Sequence, residues 1–392
     1  MEANQSPRIY LDNSATSWPK PSEVVEALVE FYDSIGSSAG RGNSQSSARA
    51  QSVIEQCRAA VAQLIKADFE EIVFTKSGTE SLNLAIQGSL KTGDHAVTSM
   101  LEHNSVLRPL REMEAQGIIE LSVVDCDEQG QIDIDHLKQS IRENTRLIAM
   151  THASNVLGHL QPLQKIGELA DSCDALFLVD CAQTLGQHEL DVRQLRIDLL
   201  AAPGHKGLLG PLGTGILYVE RSLADSLQPL IFGGTGSESE SDRQPAALPG
   251  KFESGNLNTA ALAGLLAGIR YLATPDGEAR LAQMRQKREY VFQALATAEG
   301  ITIYGGTDSE NRVDLLSFNI DGMECHEATA ILEANFGIEC RAGLHCAPLV
   351  HRHLQTENSG GAIRLSWGLF NSEEDLKKTV EAIIEVASVN IF

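Results

Sequence analysis

Lys206 stands in the stretch IDLLAAPGHKGLLGPLGTGILYV, enclosed by Gly204 and Gly207 and set between two apolar runs. Most lysines are solvated surface charges. One flanked by glycines at the mouth of a sheet is placed to form a Schiff base, and partial burial lowers its pKa toward the free amine that this reaction needs. Upstream, Asp180 ends the apolar run of LFLVDCAQT, where a carboxylate can pair with a ring nitrogen. A nucleophilic amine and an acidic pyridinium partner are the minimum equipment for pyridoxal phosphate (PLP) chemistry, in which the cofactor is the electron sink.

Other residues extend this reading. EIVFTKSGTESLNLAIQG reads as strand, tight turn and helix, with Ser77 and Glu80 at capping-box spacing. Free N–H groups at such a start, close approach over Gly78 and the Thr79 hydroxyl would seat a phosphate, although a capping box alone marks only a helix start. His103, after the apolar run of HAVTSM, can stack on a planar ring and pass protons near neutral pH, or simply be solvated. Asn155 in MTHASNVLG and Gln183 in VDCAQT are neutral donors at strand ends, suited to a phenolate oxygen. Cys346 in CRAGLHCAPLVHRH lies beside His345 and near Arg341, electropositive surroundings that favour a thiolate; a buried structural cysteine is the alternative. With His351 and His353 this stretch lacks the paired C-x-x-C spacing of structural zinc sites, and no metal is expected. Arg364, inside the short apolar strand of GGAIRLSWG, needs a carboxylate partner if buried. A substrate α-carboxylate gripped bidentately would serve, and so would an acidic residue of the chain.

The elements that must position these residues follow from periodicity. PSEVVEALVEFYDSI reads as an amphipathic helix opening on proline, GSSAGRGNSQSSARA as a loop, and residues 51–66 as a second helix. EIVFT, HAVTSM, IELSVVD, RLIAMTH, ALFLVD and DLLAAP then alternate with helical patterns. That alternation predicts an α/β fold with a mostly parallel, doubly covered sheet whose ligands collect beyond the carboxyl ends of the strands. Residues 233–250 are polar, glycine-rich and interrupted by proline, a long surface loop that could reach a neighbouring subunit. After the apolar helix NTAALAGLLAGIRYLA, helices alternate with the short strands ITIYG, LLSFNI and AIRLSW, the pattern of a smaller α+β domain. The expected division is a large domain over 15–260 and a small one formed by 1–14 and 261–392.

The chain has 392 residues, 42% of them hydrophobic, enough for a large core. A formal net charge of −22 argues against nucleic acid or an anionic membrane surface as partner. Seven cysteines without paired spacing argue against a disulfide framework. With neither a secretory pattern at the N-terminus nor a bilayer-length apolar run, a cytoplasmic protein is expected.

Taken in order, YLDNSAT, SGTESLN, LEHNSV, HASNVLG, VDCAQ, GHKGLLGPLGTGILYV, FESGNLNT, RAGLHCAP and IRLSWGLFNSEEDL resemble the motifs of class V aminotransferase-fold PLP enzymes, and among them the cysteine desulfurases. RAGLHCAP resembles the short cysteine loop of group II desulfurases, the branch that includes selenocysteine lyases. The resemblance implies a fold type I architecture with a seven-stranded main sheet and a homodimer. It implies that Lys206 holds PLP and moves the Cα proton, that Asp180 pairs with the pyridinium nitrogen and that Gln183 bonds the phenolate oxygen. His103 would stack on the ring, and Thr79 and His205 would bind the phosphate, with Thr235 contributing across the dimer. Asn155 and Arg364 would hold the substrate carboxylate, with Asn13 close by, and Cys346 would attack the substrate sulfur. Pro203 stands where such enzymes carry a phosphate-binding Ser or Thr, and having neither hydroxyl nor N–H it implies weaker or rearranged anchoring.

The implied reaction converts L-cysteine, or selenocysteine, to L-alanine, leaves a persulfide on Cys346 and passes the sulfur to a small thiol or an acceptor protein. The enzymatic alternative is a C–S lyase, acting on cysteine or cystine, which releases pyruvate and ammonia without a cysteine nucleophile. A non-catalytic sulfur-relay scaffold is the third reading, since a fold does not guarantee activity.

Overall fold

The computed structural model of the chain describes residues 8–40, 44–235 and 241–389. In chain order the elements begin with β1 (Ile9–Tyr10), α1 (Ser22–Glu30), α2 (Gln45–Ile65), β2 (Ile72–Thr75), α3 (Gly78–Ser89), β3 (Asp94–Ser99), α4 (Asn104–Ala115) and β4 (Ile119–Val124). There follow α5 (Ile134–Ser140), β5 (Thr145–Thr151), α6 (Leu163–Ser172), β6 (Leu176–Asp180), β7 (Leu199–Pro203) and β8 (Gly215–Val219). The C-terminal part contains α7 (Thr259–Leu272), α8 (Pro275–Ala296), β9 (Ile301–Tyr304), β10 (Leu315–Ile320), α9 (Cys325–Phe336) and β11 (Ile338–Glu339). It closes with β12 (Arg341–Gly343), α10 (Pro348–His353), β13 (Ala362–Ser366) and α11 (Glu373–Val389).

The apolar runs form a seven-stranded sheet in the order β2-β8-β7-β6-β5-β3-β4. Strands β6, β7 and β8 are buried at every position, as a sheet covered on both faces requires. Pairing is parallel except at β8, which runs against both β2 and β7. The reason is local: residues 204–214 turn the chain straight back, and so short a connection cannot make the crossover that a parallel neighbour needs. A second sheet, β12-β13-β10-β9, is antiparallel, and β1 pairs with β11, which ties the N-terminal residues to the C-terminal part. The expected α/β class, with a mostly parallel main sheet and a smaller α+β unit, is thus observed.

Two local expectations change. Helix α2 starts at Gln45 rather than near residue 51, because Ser44 accepts the N–H of Ser47 at 3.1 Å and so caps the helix one and a half turns earlier. Residues 41–43 of the preceding loop, and 236–240 of the loop over 233–250, lie outside the described residues. At α3, Ser77 accepts the N–H of Glu80 as expected, but the Glu80 carboxylate reaches the N–H of Lys76 at 2.6 Å instead of closing back on Ser77. No helix among the described residues is long and apolar enough to cross a membrane.

Candidate active site

Strands β3, β5, β6 and β7 end on the same side of the sheet, and the chain leaves them toward His103, Asn155, Asp180 and Lys206. A cavity of about 180 Å³ gathers Thr79, His103, Asn155, Asp180, Gln183 and Lys206, with Gly78, Pro203 and His205 completing its wall. Nine residues named from sequence are therefore brought together.

Lys206 follows β7 in a turn that only glycines allow: a Cβ on Gly204 would collide with Thr214 Oγ1, and one on Gly207 with the carbonyl of Leu185. Burial pushes the Lys206 pKa down to about 8, with the Asp180 and Asp12 carboxylates opposing and Arg364 and Arg341 assisting. Asp180 is 5% exposed; its pKa is raised by burial against the opposing effects of the Ala182 N–H on Oδ1, 2.9 Å away, and of Lys206. Gln183 donates to the carbonyl of Ser14 at 3.3 Å.

His103 is the N-cap of α4. Its Nδ1 accepts the N–H of Ser105 at 3.0 Å and lies 2.9 Å from Ser105 Oγ, which in turn is 2.8 Å from Thr79 Oγ1. Burial and the surrounding cations push its pKa down to about 4, so near neutral pH the ring is uncharged, with the proton on Nε2. Ser105, which joins the starts of α3 and α4, was not singled out from sequence; its position two residues into a helix behind a capping His was the available signal.

His205 has a pKa pushed down to about 4, first by burial and then by Lys206 and Lys20, and its Nδ1 is buried without a partner among the described residues. The His205 carbonyl accepts from Ser17 N–H at 3.1 Å, Thr16 Oγ1 at 3.2 Å, Ser17 Oγ at 3.2 Å and Lys20 Nζ at 2.9 Å. The segment TSWPK thus clamps the peptide that precedes Lys206, another contribution not foreseen. An unpartnered His205 nitrogen, the first N–H groups of α3 and two hydroxyls suit a phosphate, while the amine of Lys206 and the carboxylate of Asp180 suit the two ends of a pyridoxal ring. The residues fit PLP.

Cys346 is exposed and opens onto a larger adjoining trough of about 990 Å³, which shares Thr79, His103 and Ser105 with the Lys206 cavity. Its peptide is held by the Asn104 N–H, 2.7 Å from the Cys346 carbonyl, and by Asn155 Nδ2, 2.7 Å from the His345 carbonyl. One expectation is corrected here. His345 supplies no charge to the thiol: its buried ring donates from Nε2 to the Ala362 carbonyl at 3.0 Å, and burial drives its pKa down to about 2. Arg364 lies within electrostatic reach of Cys346.

Arg364 is 2% exposed; Nη1 donates to the Asn155 carbonyl at 3.0 Å and Nη2 to Asp12 Oδ1 at 2.7 Å. The acidic residue of the chain that pairs with this arginine is Asp12 of YLDNSAT, which was not singled out from sequence. Asn13 lies beside them, donating to the Ser366 carbonyl at 3.1 Å and accepting the Trp18 N–H at 3.1 Å. Thr235 lies apart from Lys206 within one chain, in a separate cavity of about 360 Å³ with Arg58 and Glu253.

The aminotransferase class-V family model matches residues 9–379. A probable cysteine desulfurase of Methanothermobacter thermautotrophicus is 37% identical over 385 residues, covering 97% of this chain and 95% of the relative. A cysteine desulfurase of Escherichia coli O157:H7 is 34% identical over 393 residues, covering 97% and 94%. Among solved structures, apo cysteine desulfurase from Thermococcus onnurineus NA1 superposes with a TM-score of 0.90 at 32% identity, covering 99% of this chain and 100% of that one. The cysteine desulfurase CsdA from Escherichia coli gives 0.87 at 30% identity, covering 98% and 97%. The chain belongs to the class-V aminotransferase family of PLP enzymes, among its cysteine desulfurases.

Proposed function

We propose that this chain converts L-cysteine to L-alanine and takes the substrate sulfur onto Cys346 as a persulfide, working as a homodimer. The observation that carries the reading is the placement of an exposed thiol, its peptide fixed by two hydrogen bonds, on a trough that shares walls with the Lys206 cavity. The bound cofactor supplies the electron sink that labilises the Cα–H and Cβ–S bonds. Lys206 would hold it and move the Cα proton, Asp180 would balance the ring nitrogen, Gln183 would bond the phenolate oxygen and His103 would cover the ring. Gly78, Thr79 and His205 would hold the phosphate, with Thr235 adding to that of the partner subunit. Arg364, Asn155 and the adjacent Asn13 orient the substrate carboxylate.

The chemistry balances without an external oxidant: the Cys346 thiolate attacks the substrate sulfur, the S–S bond forms as C–S breaks, and a proton replaces sulfur at Cβ to leave alanine. The persulfide then passes to a thiol of a small molecule or an acceptor protein. Domains over 15–260 and over 1–14 with 261–392 belong to the same proposal.

Product analysis tests it. Alanine in step with sulfide released by added thiol, and a 32-Da adduct on Cys346 as one sulfur atom requires, support the reading, whereas stoichiometric pyruvate from L-cysteine overturns it. Selenocysteine and cystine assayed alongside set the substrate range.

A further inference from the structure

Arg364 faces Arg341, its direct partner across β13 and β12, and directly opposed residues of an antiparallel pair project from one face of a sheet. Both cations lie within electrostatic reach of Lys206 and of His103. A guanidinium as buried as that of Arg364 is strongly destabilising unless an anion accompanies it. Among the described residues the carboxylate in contact with it is Asp12, 2.7 Å from Nη2, with a side chain still 22% exposed. Asp12 is bridged to Ser366 at the end of β13, and its charge also reaches Lys206. The guanidinium is not saturated: its buried Nε has no acceptor among the described residues.

We propose that Asp12 is a resident stand-in for the substrate α-carboxylate. It keeps Arg364 charged and aimed into the site between turnovers, and an arriving carboxylate must displace it or share the guanidinium with it. This inference rests on the reading of Arg364 as the carboxylate-binding residue. Its consequence is a specificity device. The state in which Arg364 is engaged by Asp12 does not bind substrate fully, so apparent affinity is reduced by the fraction of molecules in the competent state. Asn155 Nδ2 gives one of its two N–H groups to the His345 carbonyl, which leaves the other for a carboxylate without releasing the Cys346 loop. A substrate whose carboxylate completes the exchange overcomes the Asp12 contact, whereas an aminothiol lacking a carboxylate leaves it in place.

The test uses the holoenzyme, with kcat and KM for L-cysteine and a titration with L-alanine followed through the visible absorption of the cofactor. Asp12→Asn keeps an acceptor for Nη2 but removes the competing charge. KM and the L-alanine dissociation constant are expected to fall about tenfold, with kcat changing less. Asp12→Glu retains the charge, extends it by one methylene toward the site and is expected to raise both constants. A folded Asp12→Asn enzyme with unchanged or raised KM overturns the inference and leaves Asp12 a structural buttress. Should that variant not fold, unchanged or lowered constants in Asp12→Glu overturn it instead. Arg364→Ala separates the underlying reading: if it leaves KM for L-cysteine unaltered, the assignment of Arg364 fails, and the inference with it.

Discussion

The main-chain N–H of Asn104 donates to the carbonyl of Cys346 at 2.7 Å, which seats the Cys346 peptide on the positive end of helix α4. His103, the cap of the same helix, walls the Lys206 cavity. One helix start therefore registers His103, the proposed cover of the ring, against Cys346, the proposed sulfur acceptor. The loop needs this support, because His345 and Cys346 have φ of 50° and 60°, a left-handed conformation that costs a non-glycine residue about 1–2 kcal/mol.

Asn104→Pro isolates that contact. Proline is favoured at the first position of a helix, and His103, at φ −66° and ψ 153°, already has the extended conformation that a residue before proline requires. The substitution leaves the helix intact but puts the ring Cδ where the N–H met the Cys346 carbonyl, so it removes the bond and pushes the loop away. The single-turnover rate of persulfide formation is expected to drop at least about tenfold, with a stability loss of at least about 1 kcal/mol and an unchanged cofactor spectrum. An unaltered rate would mean that Asn155 alone holds the loop.

Glu102, fully buried next to His103, accepts from Ser99 Oγ at 2.6 Å and from the Thr151 N–H at 2.9 Å. Burial raises its pKa to about 8, and the charge of Asp180 pushes the same way. Its folded-state pKa lies above the unfolded one, so its stabilising contribution is complete below about 4.5 and is lost as pH rises toward 8. Glu102→Gln removes that titration. Relative to the unmodified protein the variant should gain stability between pH 5 and 8, on the order of 2–4 kcal/mol in denaturant melts. A pH-independent difference would show that the carboxyl is already ionised.

Lys206 predicts the pH dependence of cofactor capture. With its pKa pushed down to about 8, the free amine is a minor species below pH 8 and dominant above it. The rate at which apoenzyme gains its visible band on adding PLP should climb about tenfold per pH unit up to pH 7 and level off above pH 8. Because the Asp12 charge raises the Lys206 pKa, Asp12→Asn should move the midpoint to lower pH. A rate still climbing at pH 10 would contradict the burial argument.

What could be read without coordinates was whatever lies close along the chain. The strands announced themselves as apolar runs, and Asp180 and Lys206 as the polar residues that end them. Lys206, Asp180 and Thr79 needed no knowledge of distant partners. Asp12, Asn104 and Lys20 did, since each works by touching a residue far along the chain: Arg364, Cys346 and the His205 carbonyl respectively. His345 failed for the same reason. A histidine beside a cysteine reads as a cation until the Ala362 carbonyl and complete burial are seen to keep it neutral.

Pro203 ends β7 in the wall of the Lys206 cavity, and its ring explains the glycine opposite. A Cβ on Gly78 would lie 3.1 Å from both Pro203 Cδ and Pro203 N, so a side chain there would force the start of α3 and the end of β7 a few tenths of an ångström apart. The proline thus serves packing at a position that offers a phosphate no hydrogen bond. Pro203→Ser exchanges one role for the other. It gives up the ring contact and adds a hydroxyl, which as a charge-assisted donor to an anion is worth about 1.5–3 kcal/mol. The apoenzyme should melt slightly lower, while the holoenzyme loses cofactor at least about tenfold more slowly on dialysis against a carbonyl scavenger. If cofactor loss is unchanged while the melting temperature falls, the groups already present (Thr79, Ser105 and His205) saturate the phosphate, and Pro203 carries no anchoring deficit.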